Sequence, residues 1–192
     1  YQERHYAYSA SGRLVKIMES ADEKGCGRKY VPTQISYDGN GNITRIQTPS
    51  GNEILREYDQ SNHLLAETHK EKGGSIRNRI TFTYDLNGNL TQRMESNGFY
   101  TRYQYDLQGR QIMTEDADGA ITWNDYDRNG NLVRQIMPVE YAVYGRDGAG
   151  YRFDYDKSGR NTAVISPDGS RLHLTEYNEY GEKTSEGDGT GR

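Results

Sequence analysis

Tyr84-Asp85-Leu86-Asn87-Gly88-Asn89-Leu90 recurs along this chain, and its recurrence says more about the architecture than any single residue does. Near copies stand at Tyr37-Asp38-Gly39-Asn40-Gly41-Asn42-Ile43 and Tyr126-Asp127-Arg128-Asn129-Gly130-Asn131-Leu132. Tyr105-Asp106-Leu107-Gln108-Gly109-Arg110 and Tyr155-Asp156-Lys157-Ser158-Gly159-Arg160 keep the same frame. Weaker copies complete the series at Tyr8-Ser9-Ala10-Ser11-Gly12-Arg13-Leu14, Tyr58-Asp59-Gln60-Ser61-Asn62-His63-Leu64 and Tyr177-Asn178-Glu179-Tyr180-Gly181-Glu182. The anchoring tyrosines are 29, 21, 26, 21, 21, 29 and 22 residues apart. A period in the twenties is the mark of a repeat array.

Half-way through most periods a second glycine turn occurs, at Pro49-Ser50-Gly51, Lys72-Gly73-Gly74, Ser96-Asn97-Gly98, Ala117-Asp118-Gly119 and Pro167-Asp168-Gly169. Each period therefore holds two turns and two connecting segments. The segments alternate: Ile80, Phe82 and Tyr84 share one face while Thr81 and Thr83 take the other, and Tyr151, Phe153 and Tyr155 repeat the arrangement. Helical periodicity never lasts beyond a turn or two. At each motif Asp85 and its equivalents can accept backbone amides two or three residues on, and Asn87-Gly88 is expected to take the positive φ angles of a tight hairpin. At Asn62 the glycine is missing, and Asn is the best substitute because it tolerates the left-handed region. A lone hairpin of this composition buries too little to stand by itself, so copies are expected to stack side by side into one long, twisted antiparallel sheet.

The Tyr-Asp-x-x-Gly-Asn/Arg-Leu frame, in eight copies over nearly the whole chain, resembles the YD repeat of the Rhs family, shared by the shells of bacterial Tc toxins and by teneurins. The resemblance implies an all-β fold, a curled shell of consecutive hairpins, and a structural role in which such a wall encloses a C-terminal toxin. It further implies, as partners, the remainder of the same polypeptide shell and the enclosed C-terminal domain, in a secreted or cell-surface protein. Residues 1–192 then form a single array, and because the pattern is cut off at both ends the chain is expected to be a fragment of a larger protein.

Composition agrees with a thin wall. Of 192 residues 32% are hydrophobic and 27% charged, and mean hydropathy is -1.05, too polar for a thick filled core. Seventeen tyrosines, only four prolines and the regular turn grammar argue against disorder. The formal charge of -4 comes with scattered rather than clustered Lys and Arg, which speaks against nucleic acid as a partner. No run approaches the ~20 apolar residues of a membrane span. Cys26 is alone and can form no internal disulfide.

Two insertions, near 20–30 and 138–150, lengthen the first and sixth periods and are expected as loops leaving the sheet. The second gathers Tyr141, Tyr144 and Arg146, the aromatic and cationic groups of a possible ligand loop for glycans. Asp125-x-Asp127-x-Asn129-Gly130 matches the first half of a calcium loop, but position twelve is Ile136 rather than Glu, and alternation would place Asp125 and Asp127 in a strand, so turn capping is the preferred reading. His5, His63, His69 and His173 show no metal-ligand spacing. No nucleophile elbow, phosphate loop or dinucleotide fingerprint is present, and no Asp-Pro dipeptide of the kind at which relatives of this family cleave themselves. No catalytic residue, cofactor or metal is therefore expected. The repeat residues, Tyr8, Gly12, Tyr37, Asp38, Gly41, Tyr58, Asp59, Asn62, Tyr84, Asp85, Gly88, Tyr105, Asp106, Gly109, Tyr126, Asp127, Gly130, Tyr155, Asp156, Gly159, Tyr177 and Gly181, are expected to be structural. A carbohydrate- or cell-surface-binding module is the alternative.

Overall fold

The computed structural model describes residues 4–22 and 28–188, and side-chain burial for fewer of them; Cys26 lies outside this set. The chain divides into two compact units, 1–99 and 100–192. The first carries β1 (Arg4–Tyr8), β2 (Leu14–Asp22), β3 (Arg28–Tyr37), β4 (Ile43–Gln47), β5 (Glu53–Tyr58), β6 (Leu64–Lys70), β7 (Ile76–Tyr84) and β8 (Leu90–Glu95). The second carries β9 (Tyr100–Tyr105), β10 (Gln111–Asp116), β11 (Ile121–Tyr126), β12 (Leu132–Ile136), α1 (Pro138–Tyr144), β13 (Tyr151–Tyr155), β14 (Asn161–Ile165), β15 (Arg171–Tyr177) and β16 (Lys183–Gly187). Within each unit strand order is chain order, β1 to β8 and β9 to β16, the all-β antiparallel arrangement of consecutive hairpins that the repeat implied.

One turn design closes the hairpins at both ends. At the Tyr-Asp end the Asp85 amide donates to Asn89 O at 2.9 Å and the Gly88 amide returns to Asp85 O at 3.1 Å. At the other end Thr48 and Gly51, or Asp116 and Gly119, make the same pair of bonds. This is a type I turn followed by one left-handed residue, and the register slips between Thr83 and Tyr84, where the extra residue forms a bulge. The expectation that Asn and Gly both take positive φ is therefore corrected: Gly88 does, at +83°, but among the described residues Asn62, at +67°, is the one non-glycine that does. Asn87 belongs to the type I turn, whose φ angles are negative.

The lengthened first period is taken up by longer strands, with Ser20 opposite Tyr30 and Asp22 opposite Arg28. The segment expected as a loop after β12 is corrected more substantially. Its first half is helix α1, entered through Pro138 and ended at Gly145 with φ of +58°. Seven residues are too few to hold a helix by propensity. Packing on β11 holds it, and a periodicity of two turns is too short to stand out in the sequence.

Little of the molecule is enclosed. In unit 1 Ala66 and Thr68 of β6 are buried; in unit 2 Met113, Trp123 and Ile136 form a cluster on three adjacent strands, with Tyr141 of α1 against it. Tyr151–Tyr155 alternates half-buried and exposed residues, while Ile43–Gln47 is half-buried throughout. A chain this polar has almost no interior to build, so its hairpins need another source of registration.

Candidate functional site

The working surface of a repeat wall is the seam between neighbouring repeats, and here the motif residues are spent on it. Each motif aspartate first closes its own turn. Asp85 Oδ1 accepts the amides of Asn87 and Asn89, both at 2.9 Å, and Oδ2 accepts the Asn89 side chain at 2.9 Å. Asp127 does the same with Asn129 and Asn131. In Asp106 and Asp156 the Oδ2 partner is Nε of Arg110 or Arg160, at 2.6 and 2.7 Å, and in Asp59 it is Nδ1 of His63 at 2.9 Å. The side-chain amide of Asn89 and then its backbone amide hold the Asp85 carboxyl below its ordinary 3.8, and Asn131 acts likewise on Asp127. For Asp156 the Arg160 amide is the larger cause, while for Asp106 desolvation pushes upward and is outweighed by the Arg110 amide and guanidinium.

The tyrosines bind backward. Tyr37 donates its hydroxyl to Leu14 O at 2.8 Å, Tyr58 to Ile43 O at 3.1 Å, and Tyr84 to Leu64 O at 2.9 Å. Tyr126 donates to Gln111 O and Tyr155 to Leu132 O, each at 2.9 Å. In every case the acceptor is the seventh residue of the preceding motif, just past its left-handed turn position. The acceptor is a backbone carbonyl, so Gln111 serves as well as a leucine. Burial, with the Asp59 carboxylate behind it, raises the Tyr84 phenol above its ordinary value and keeps it a donor.

At five motifs the residue four after the aspartate, or after the Ser9 that replaces it, binds forward, and here the chain carries a signal that the sequence reading missed. That position reads Arg13, Asn42, His63, Asn89, Arg110, Asn131, Arg160 and Glu182, a long side chain with delocalised charge or a ring alternating with a short amide until the last. Each long member lies over the next repeat's tyrosine: Arg13 over Tyr37 at 5.7 Å, Arg110 over Tyr126 at 4.9 Å, Arg160 over Tyr177 at 4.4 Å, and the His63 ring over Tyr84 at 4.7 Å. Arg110 also donates to Asp127 O at 2.7 Å. The tips of these side chains fill the space beside the next turn: a Cβ on Gly41, Gly88 or Gly181 would sit 2.7 to 2.9 Å from Arg13, His63 or Arg160. Asn42, being short, reaches the following turn through Asn62 Oδ1 instead, at 2.7 Å. Asn89 and Asn131 bond the aspartates of their own turns, so the forward clasp belongs chiefly to the long side chains.

The three residues named for a possible ligand loop do not converge on one open surface. Tyr141 stacks on Trp123 at 6.3 Å between ring centroids, Arg146 lies over the Trp123 ring at 4.2 Å, and Tyr144 remains exposed. Two of the three are thereby engaged in holding α1 down. Trp123 Nε1 donates to Asp125 Oδ1 at 2.9 Å, and Arg134 bonds Asp125 Oδ2 at 2.6 Å and Gly148 O at 2.8 Å. Asp125 is therefore tied into this packing while Asp127, which lies past the end of β11 in the turn rather than in the strand, caps backbone amides; no group of three or more His, Cys, Asp or Glu that could hold a metal occurs among the described residues. Trp123 and Arg134 were not singled out in the sequence, and Asp125 only as the first position of the calcium-loop match; the sign available there for Trp123 and Asp125 is that they interrupt the Tyr/Thr alternation.

Hairpins closed by aspartate, tied backward by tyrosine and forward by alternate long side chains, define a structural repeat wall. The chain belongs to the teneurin YD-shell family, whose pattern it matches over residues 1–129. It is 27% identical over 178 residues to the double-stranded DNA deaminase toxin A of Burkholderia cenocepacia, covering 89% of this chain and 12% of that protein. It is 29% identical over 152 residues to the tRNA3(Ser)-specific nuclease WapA of Bacillus spizizenii, covering 78% of this chain and 6% of that one. The chain thus spans only a small part of the length of either relative. Among solved structures, a TcdB2-TccC3-Cdc42 crystal structure matches with a TM-score of 0.58 at 13% identity, over 92% of this chain and 12% of that one. A Photorhabdus luminescens Tc holotoxin pore matches with a TM-score of 0.57 at 14% identity, over 97% and 12%. At such identities the likeness is one of fold.

Two outcomes follow from the seam. Tyr84→Phe removes one hydroxyl-to-carbonyl bond and leaves Leu64 O half-buried without it, so urea unfolding should show a loss of about 1 kcal/mol, while Tyr180→Phe, at an exposed ring, should show none. The motif carboxyls have folded values below their unfolded 3.8, so their contribution is complete above that pH and is lost as pH falls through the lowered values. Acid unfolding followed by circular dichroism should therefore lie below pH 3.8, and the Asp85→Asn/Asp127→Asn double variant, which keeps one oxygen for the backbone amides, gives up the Oδ2 acceptor of the Asn89 and Asn131 side chains and removes two titrating groups, should be less stable at neutral pH and unfold with a shallower pH dependence.

Proposed function

We propose that this chain is a length of shell wall in a larger, secreted or cell-surface YD-repeat protein, and that the shell encloses a C-terminal toxin and delivers it in competition between cells. Its partners are then the rest of its own polypeptide shell and the enclosed domain. Residues 1–192 act in this reading as a single array, and the chemistry of attack belongs to the cargo rather than to the wall. The observation that carries the reading is that the seam consumes the motif residues: the aspartates, tyrosines and alternate cations hold neighbouring hairpins. The two curated relatives, named as a deaminase toxin and a nuclease, are consistent with a wall attached to very different cargoes. The glycan-binding alternative draws less support, since Tyr141 and Arg146 are engaged at Trp123.

Limited proteolysis of the full-length parent tests enclosure. The polypeptide downstream of the repeats should resist protease until the wall is opened, and cleavage there at the same rate as in the free domain overturns the reading. A second outcome concerns the isolated segment, in which β1 and β16 each have a sheet neighbour on one side only among the described residues. Light scattering should show apparent mass rising with concentration; a strictly monomeric profile removes edge-to-edge association.

A further inference from the structure

Helix α1 turns Tyr141 toward Trp123, and along its other side the apolar residues are left uncovered. Val139 is 83% exposed, Val143 68%, Tyr144 62%, and Met137 just before the helix 42%. In a chain of mean hydropathy -1.05, four such residues within eight positions make an unusual surface. They line a groove of about 890 Å³, whose far wall includes Tyr151 and Pro167.

The charged groups of the groove all carry one sign. Glu140, Asp147 and Asp168 line it, and no Lys or Arg does. Glu140 accepts the Gly150 amide through Oε1 at 3.0 Å, which leaves its buried Oε2 without a hydrogen-bond partner. The Ser166 hydroxyl and the Ser170 amide hold the Asp168 carboxyl below its ordinary value, so it is an anion at neutral pH. An apolar floor inside a carboxylate rim is poorly suited to another acidic surface and complementary to a side chain that is apolar and flanked by a cation.

We propose that this groove is a docking site for a peptide segment in which a large apolar side chain stands next to Lys or Arg, the apolar group seated against Val139 and Val143 and the cation among the three carboxylates. The proposal is independent of the shell reading: a wall without such a groove would still be a wall, and a groove that binds would do so in any host protein. The closeness of opposite charges at the rim makes the binding salt-sensitive, while the apolar contact gives it a part that salt does not screen.

The test uses the chain 1–192 and a fluorescein-labelled ten-residue peptide of alternating Leu and Lys, read by anisotropy, with Leu/Glu and Ser/Lys peptides of the same length as controls. Saturable binding of the Leu/Lys peptide alone is expected. Val139→Ser/Val143→Ser should weaken it at least ten-fold, Asp147→Asn at least three-fold, and Leu107→Ser, at an exposed turn position, should leave it unchanged. The substituted side chains are exposed or at the groove rim, and circular dichroism of each variant should match the parent. Equal binding by the Ser/Lys peptide, equal binding by the groove variants, or no saturable binding overturns the proposal. So does self-association that the Val139→Ser/Val143→Ser chain loses, which would give the groove to a second copy.

Discussion

A sheet with almost no enclosed interior cannot be held in register by a hydrophobic core, and in this chain the phenol hydroxyl donated to a backbone carbonyl of the preceding hairpin takes over that task. The bond recurs with the same geometry whether the two partners are 15 residues apart, as in Tyr58 and Ile43, or 23, as in Tyr155 and Leu132. Its acceptor is main chain, so the side chain there is free to vary; its donor sits on a rigid ring that also buries apolar area along the strand. It adds a side-chain tie to the backbone ladders that already join one hairpin to the next.

The aspartate turn makes that bond possible. By satisfying the amides at its own tip it brings the seventh residue of the motif to a repeatable position, which is where the next tyrosine looks for a carbonyl. The side chain four after the aspartate then joins the two functions: Arg110 bonds its own Asp106, covers the next Tyr126 and reaches Asp127 O. Cross-strand pairs such as Arg56 with Glu67 and Arg79 with Glu57 lie outside this scheme and are partly exposed, so they add little beside it.

The insertion after β12 departs from the rule. There the wall acquires a true cluster, with Ile136 fully buried beneath Trp123 and α1, and with Arg134 binding both the strand partner Asp125 and the loop carbonyl of Gly148. Building that cluster uses one side of a seven-residue helix. The opposite side is left apolar and ringed by carboxylates, a surface of a different kind from the polar wall around it, and the backward bond from Tyr155 to Leu132 survives the detour.

Fold class, hairpin number and turn positions were legible in the amino-acid sequence because they are local: a tyrosine, an aspartate and a glycine at set spacing determine where the chain reverses, and a period of two determines strand. Even the alternation of Arg or His with Asn was written there, though its meaning requires knowing that the side chain reaches the following tyrosine. What only the tertiary structure decided depends on contacts between residues far apart in the chain. The engagement of Tyr141 and Arg146 by Trp123 and the helix at 138–144 are set by which surface a neighbouring strand presents. No local propensity of seven residues could specify that helix, since its stability comes from the ring it covers.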